Sequence, residues 1–127
     1  MSTSFKLVNE TRGKIPRAAF AAVKDAALGK NYKLTLIVTT PARIKKLNTI
    51  YRDIEKPTDI LSFPVSKDGG EIYMSVSETK KEAKKFDRKY ENFFAFLFIH
   101  GCVHLKGYDH GGTMEGIEAK LRNRFGI

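Results

Sequence analysis

His100, His104 and His110 are the three histidines of the chain, and they fall within a single window of 11 residues. On a helix His100 and His104, four positions apart, project from the same face. Two imidazoles one turn apart can reach a common metal ion at about 2.0–2.1 Å from each nitrogen. Gly107 follows His104 by three residues and allows the chain to turn, so that His110 can swing back as a third ligand. Three neutral imidazoles leave a fourth position for water, the arrangement of a catalytic rather than a structural zinc. The plainer alternative is three core or surface histidines without a metal; the turn glycine at the matching offset favours the metal.

The spacing H-x3-H-x5-H, with Gly107 in place, matches the skeleton of the metzincin motif H-E-x-x-H-x-x-G-x-x-H. One position departs, because Gly101 follows the first histidine where zinc proteases carry a glutamate as general base. A glycine takes no proton, so peptide hydrolysis by that route is disfavoured. Cys102 lies about 200° around the helix from His100 and is read as a buried small hydrophobe rather than a fourth ligand. Asp109 is open to two readings, a carboxylate orienting a ligand imidazole or a turn residue.

The composition bounds what surrounds these residues. The chain has 127 residues, 42% of them hydrophobic, with 23 basic and 14 acidic side chains and a formal charge of +9. That length predicts one domain, 1–127, and the apolar fraction excludes wholesale disorder. A single cysteine excludes an internal disulfide framework and any Cys-rich zinc module. No stretch approaches the roughly 18 apolar residues of a membrane span, and the start MSTSFKLVNE has no signal-peptide pattern. A soluble, cytoplasmic protein without membrane partners is expected. The excess positive charge favours polyanions, although it serves solubility equally well.

The elements that must position the histidines follow from periodicity. Phe5 to Val8 is β-compatible. Pro16 opens a helical stretch, Arg17 to Leu28, which Gly29 can end. Lys33 to Thr39 alternates as a strand, covered on both sides near Ile37. Thr40-Pro41 starts a helix with Ile44, Leu47, Asn48 and Tyr51 at helical spacing and Arg52 at its end. Ile60 to Val65 reads as extended, with Pro64 marking an edge or a strand end. Asp68-Gly69-Gly70 signals a turn, and Glu71 to Val76 alternates as another strand. Ser77 is expected to cap a helix running through Lys80 and Lys85. A strongly apolar helix follows from about Asn92 to Lys106. The last, amphipathic helix covers about Thr113 to Phe125, with Met114, Ile117, Leu121 and Phe125 inward. The fold class is α+β, a small mixed sheet with several helices, zincin-like, carrying the three-His site on a helix and the turn after it.

With these residues in view, the run from His100-Gly101-Cys102-Val103-His104 to Gly107-Tyr108-Asp109-His110 resembles the H-G-x-L-H-L-x-G-Y-D-H motif of the YbeY family of bacterial endoribonucleases. A second block agrees. Leu47-Asn48 and Tyr51-Arg52, followed by Lys56-Pro57-Thr58-Asp59-Ile60-Leu61-Ser62-Phe63-Pro64, resembles L-N-x-x-Y-R with K-P-T-D-V-L-S-F-P downstream. Gly70-Glu71-Ile72 with Ser75 is a weaker third match. The likeness spans Leu34 to His110, with Val103 standing for Leu and Glu71 for Asp. It implies a single-strand-selective, metal-dependent endoribonuclease in small-subunit (16S) rRNA maturation and ribosome quality control. It also implies links to small-subunit ribosomal proteins and an Era-type GTPase, with no DNA substrate. Arg52 and His100 are the functionally essential positions that it carries over. His100, His104 and His110 are then the ligands of one divalent ion, expected to be Zn2+.

Elementary chemistry is consistent with that assignment. Cleaving a phosphodiester builds negative charge on nonbridging oxygens, which a guanidinium stabilises with an always-charged, bidentate contact. Two nucleophiles stay open, metal-bound hydroxide or the RNA 2′-OH. Ser62 and Phe63 are further substrate candidates; Phe63 either stacks on an unpaired base or fills the core. Asp59 is read as a turn residue, with a proton-accepting or ligand-orienting role as the alternative. Lys80, Lys81, Lys84, Lys85, Arg88 and Lys89 would form one continuous basic stripe on a helix, with Lys81 and Lys85 as RNA contacts, unless the stripe is simply a solvated face. A noncatalytic ribosome-assembly factor with a structural metal is the alternative from another class.

Overall fold

The alternating run that begins at Lys33 becomes the inner part of a mixed sheet in a computed structural model that describes residues 4–107 and 111–127. Among the described residues the order is β1 (Phe5–Asn9), α1 (Phe20–Leu28), β2 (Lys33–Val38), α2 (Pro41–Arg52), β3 (Ile60–Ser66), β4 (Gly69–Met74), α3 (Val76–Lys85), α4 (Tyr90–Leu105) and α5 (Gly112–Phe125). The strands are ordered β1-β2-β4-β3. β1, β2 and β4 run parallel, and β3 pairs antiparallel with β4 through a turn at Lys67-Asp68. Pro64, which offers no N–H to a ladder, sits on the edge strand beside a register shift.

The strand period of two sorts the side chains onto two faces. Leu34, Leu36, Val38, Ile72 and Met74 join the main core, into which α4 brings Phe93, Phe94, Leu97, Phe98, Ile99, Cys102 and Val103. A helix apolar nearly all round is stable only when surrounded. α4 accordingly packs on α1, α3, α5, β3 and β4. The opposite face carries Phe63 and Tyr73, in edge contact with each other. Tyr51 of α2 lies against Phe63, with ring centroids 5.0 Å apart, and Ile37, Ile44 and Leu61 are buried outside the main core. The two-sided covering expected near Ile37 is therefore present.

Three local expectations change. α1 begins at Phe20, three residues later than expected, and Ala19 at its N-cap offers no side-chain acceptor. Ser75, not Ser77, caps α3: its Oγ accepts from the Glu78 N–H at 3.3 Å, so the helix starts at Val76 and β4 stops at Met74. α3 also ends at Lys85, and Asp87 takes a left-handed conformation with φ 52°. Arg88 and Lys89 thus lie outside the helix, and the continuous basic stripe is broken. The α+β class with a small mixed sheet stands, but among the described residues no three-histidine metal site is joined to it.

One polar group lies deep in the fold. Lys24 is fully buried, and its Nζ donates to Ser4 Oγ, Asp25 Oδ1 and the Lys30 carbonyl at 2.6, 2.9 and 3.2 Å. Three acceptors match the three donors of an ammonium, the condition under which a buried charge is tolerated.

Candidate active site

Arg52 owes its place to the end of α2. Asp53 closes the helix in a left-handed conformation, its N–H shared between the Asn48 and Thr49 carbonyls. Asn48 is buried and its Nδ2 donates to the Lys56 carbonyl at 3.0 Å, while Thr49 Oγ1 donates to the Ile54 carbonyl at 3.2 Å. The loop after Arg52 is thereby tied back onto the helix that carries it. On the other wall, α4 lies directly on β3 because Gly101 has no side chain. A Cβ there would stand 2.9 Å from Ile60 Cδ1, 3.0 Å from Ser62 Oγ and 3.1 Å from Ile72 Cδ1. The glycine where a zinc protease has its general base therefore sits in close packing, and a larger residue would have to displace the ends of Ile60, Ser62 and Ile72.

These elements enclose a cavity of about 240 Å³ lined by Arg52, Ile60, Ser62, His100, Gly101 and His104. The structure brings Arg52, Ser62 and two histidines from three elements to one space. It does not bring Phe63 there. Neighbours on a strand point to opposite faces, so Ser62 turns toward α4 and Phe63 toward Tyr51 and Tyr73. Nor do Lys81 and Lys85 line this cavity; they are exposed and paired with Glu78 and Glu82, each at 3.0 Å. Such pairs add little stability, but they offset charge that the stripe was expected to present. Cys102 is buried, and burial pushes its thiol far above its ordinary range, which makes it an inert core residue.

Glu118 was not singled out by sequence. It lies four residues after Met114 and three before Leu121 on the inward face of α5, only 5% exposed. Its Oε1 stands 3.0 Å from His100 Nδ1, so the carboxylate accepts from the ring and holds it across the helix pair. The signal was available, as an acid on an otherwise apolar helix face. His100 divides the cleft from a second cavity of about 410 Å³, lined on the far side by Phe96, Met114, Glu118 and Arg122.

The metal expectation does not survive this geometry. Among the described residues, no group of three or more His, Cys, Asp or Glu side chains is placed to hold a metal ion. The rings of His100 and His104 lie 6.4 Å apart by centroid and nearly parallel, at 9°. His100 is held by Glu118 through Nδ1. His110 and Asp109 lie outside the described residues. Among the described residues nothing supports the zinc cofactor, the metal-dependent mechanism or the structural-metal alternative. Asp59 is half-buried, and burial raises its carboxyl pKa, the nearby Glu82 adding to the effect. It does not line the cleft. Among the described residues, no helix is long and apolar enough to cross a membrane.

Comparison with known proteins agrees with the motifs. The chain is 31% identical to an endoribonuclease YbeY of Sulfurovum sp. (strain NBC37-1), covering 100% of this chain and 94% of that one. It is 36% identical to that of Aquifex aeolicus (strain VF5) over 82% of this chain and 75% of the relative. A solution structure from Thermotoga maritima superposes with a TM-score of 0.68 at 25% identity, covering 96% of this chain and 89% of that chain. The family model described as endoribonuclease YbeY matches residues 3–125. The chain belongs to the YbeY endoribonuclease family.

Proposed function

We propose that this chain cleaves RNA phosphodiester bonds, in the service of ribosomal RNA processing, at the cavity between the end of α2, the start of β3 and α4. The observation that carries the reading is the convergence of Arg52, Ser62, His100 and His104 on one polar space. Arg52 supplies fixed positive charge to the nonbridging oxygens, where it is worth most as charge develops. His100 stands at the reacting phosphate, and Glu118 acts through it as a positioning residue. Ser62 adds a hydroxyl at the same wall.

Tyr51 precedes Arg52 on the last turn of α2 and is 65% exposed. It offers a ring face for an unpaired base next to the phosphate held by Arg52. Phe63 supports that ring from below. The lysines of α3 contribute a general field for a polyanion, so binding should weaken with salt. Family membership supports RNA as the partner, and small-subunit ribosomal proteins and an Era-type GTPase are proposed on that ground alone.

The test is cleavage of a single-stranded ribosomal RNA fragment by nuclease-free preparations of the wild type, Arg52→Ala and His104→Ala. Each variant is expected to lose about 100-fold or more in rate. Wild-type rates in both would remove the reaction from this cavity.

A further inference from the structure

A further cavity, of about 440 Å³, opens at the carboxyl ends of the three parallel strands, and the cleavage site does not use it. Its walls come from the segments that follow β1, β2 and β4: Thr11 and Lys14, then Thr39 and Pro41, then Ser77 and Lys80. We propose that this cavity binds a phosphoryl group, and the proposal stands whether or not the cleft cleaves RNA.

The cavity receives two helix starts at once. α2 has 12 residues and α3 has 10, and their first residues, Pro41 and Val76, both line it. The opening N–H groups of a helix have no acceptor within it, and the helix dipole places positive charge there. The caps take only part of this capacity. Thr40 Oγ1 accepts from Arg43 N and Ser75 Oγ from Glu78 N, which leaves the N–H groups of Ala42, Val76 and Ser77 outside the capping bonds.

An independent observation points to the same ligand. Thr39 is 2% exposed, lines this cavity, and its Oγ1 has no hydrogen-bond partner among the described residues. A buried hydroxyl left unpaired carries its full desolvation cost, which an acceptor within its reach would recover.

The charges favour an anion. Lys14 and Lys80 line the cavity, and among the described residues no carboxylate does. The nearby acids face other cations, Glu10 with Arg43 at 3.2 Å and Glu78 with Lys81 at 3.0 Å, the latter an ion pair without hydrogen-bond geometry. Lys80 rests over the ring of Tyr90, 4.7 Å from its centroid, which holds its ammonium at the cavity wall. Converging N–H groups, hydroxyls and lysines without an acid are the chemistry of a phosphoryl site. The phosphoryl group would come from an RNA strand or from free phosphate.

Amide NMR spectra of the whole chain separate these sources. Inorganic phosphate, added at constant ionic strength, should move the Ala42, Val76 and Ser77 amides saturably. Thr39→Val and the double variant Lys14→Ala/Lys80→Ala should each weaken that response about tenfold. Thr39→Val should fold at least as stably as the wild type, because it removes an unpaired hydroxyl. Should it fail to fold, the double variant of two exposed lysines carries the test. A single-stranded oligoribonucleotide without terminal phosphates is then added. If it moves the same amides and phosphate displaces it, the source is the RNA backbone. If only phosphate moves them, the source is the free ion. Amides unmoved by phosphate, or equal responses in wild type and variants, would overturn the proposal.

Discussion

Helix α2 begins at one candidate site and ends at another about 18 Å away, and the two are made of different materials. At its C-terminal end side chains carry the chemistry: a guanidinium, a hydroxyl and two imidazoles around a small cavity. At its N-terminal end the backbone carries much of it, through two helix starts, helped by hydroxyls and two lysines. Side-chain chemistry of the first kind can act on a bond. An array of the second kind is suited to hold a charge. The difference suggests a division of work along α2, cleavage at one end and retention of phosphate at the other.

The largest break in that comparison should come from Gly101→Leu. The new side chain enters where even a Cβ would stand 2.9 Å from Ile60 and 3.0 Å from Ser62. Separating α4 from β3 should cost about 1–3 kcal/mol of stability and lower RNA cleavage about 100-fold, because the cleft walls move apart. The phosphate response at Val76 and Ser77 should persist, and NMR on the same sample checks both ends.

Tyr51→Ala should raise KM for single-stranded RNA about tenfold with kcat little changed, since a stacked base is worth about 1–3 kcal/mol. Steady-state kinetics would show it, and an unchanged KM would remove Tyr51 from the binding path. Glu118→Gln keeps the shape but weakens the bond that holds His100. A loss of about tenfold in kcat with unchanged KM is expected, the pattern of a positioning residue. Equal losses in stability and activity would instead mark Glu118 as purely structural.

Asp59 offers the smallest effect and a control outside both cavities. Burial, and then the charge of Glu82, raises its carboxyl pKa. The folded chain therefore holds this proton more tightly than the unfolded chain. The stability tied to it is fully present below the ordinary carboxylate range and is lost as pH rises through the raised value. Asp59→Asn should show a higher Tm than wild type at pH 7, with the difference closing toward about pH 4. Thermal melts across that range check the sign, and cleavage should be unaffected.

How much of this was legible in sequence follows from the same contrast. His100 and His104 were legible from their spacing, whereas Arg52 and Ser62 stood out only through the resemblance of the runs around them to the family motifs. Phe63 was grouped with Ser62, but adjacent residues of a strand face opposite ways, and only the placement of α4 shows which side holds the cleft. The basic stripe assumed a helix through Lys89, which the left-handed Asp87 interrupts. The three-histidine metal reading took a shared helix face as a ligand set, whereas among the described residues no third His, Cys, Asp or Glu side chain completes a group with His100 and His104. The strand-end cavity had no signal in the sequence. Thr11, Thr39 and Ser77 become neighbours only through the parallel pairing of β1, β2 and β4, and backbone N–H groups leave no mark on residue type.

The most direct test is the kinetic split between the two ends of α2, measured as kcat and KM for one single-stranded RNA with Arg52→Ala and with Lys80→Ala. The account predicts that Arg52→Ala loses about 100- to 1,000-fold in kcat, while Lys80→Ala raises KM and leaves kcat within about twofold. A wild-type kcat in Arg52→Ala would contradict it.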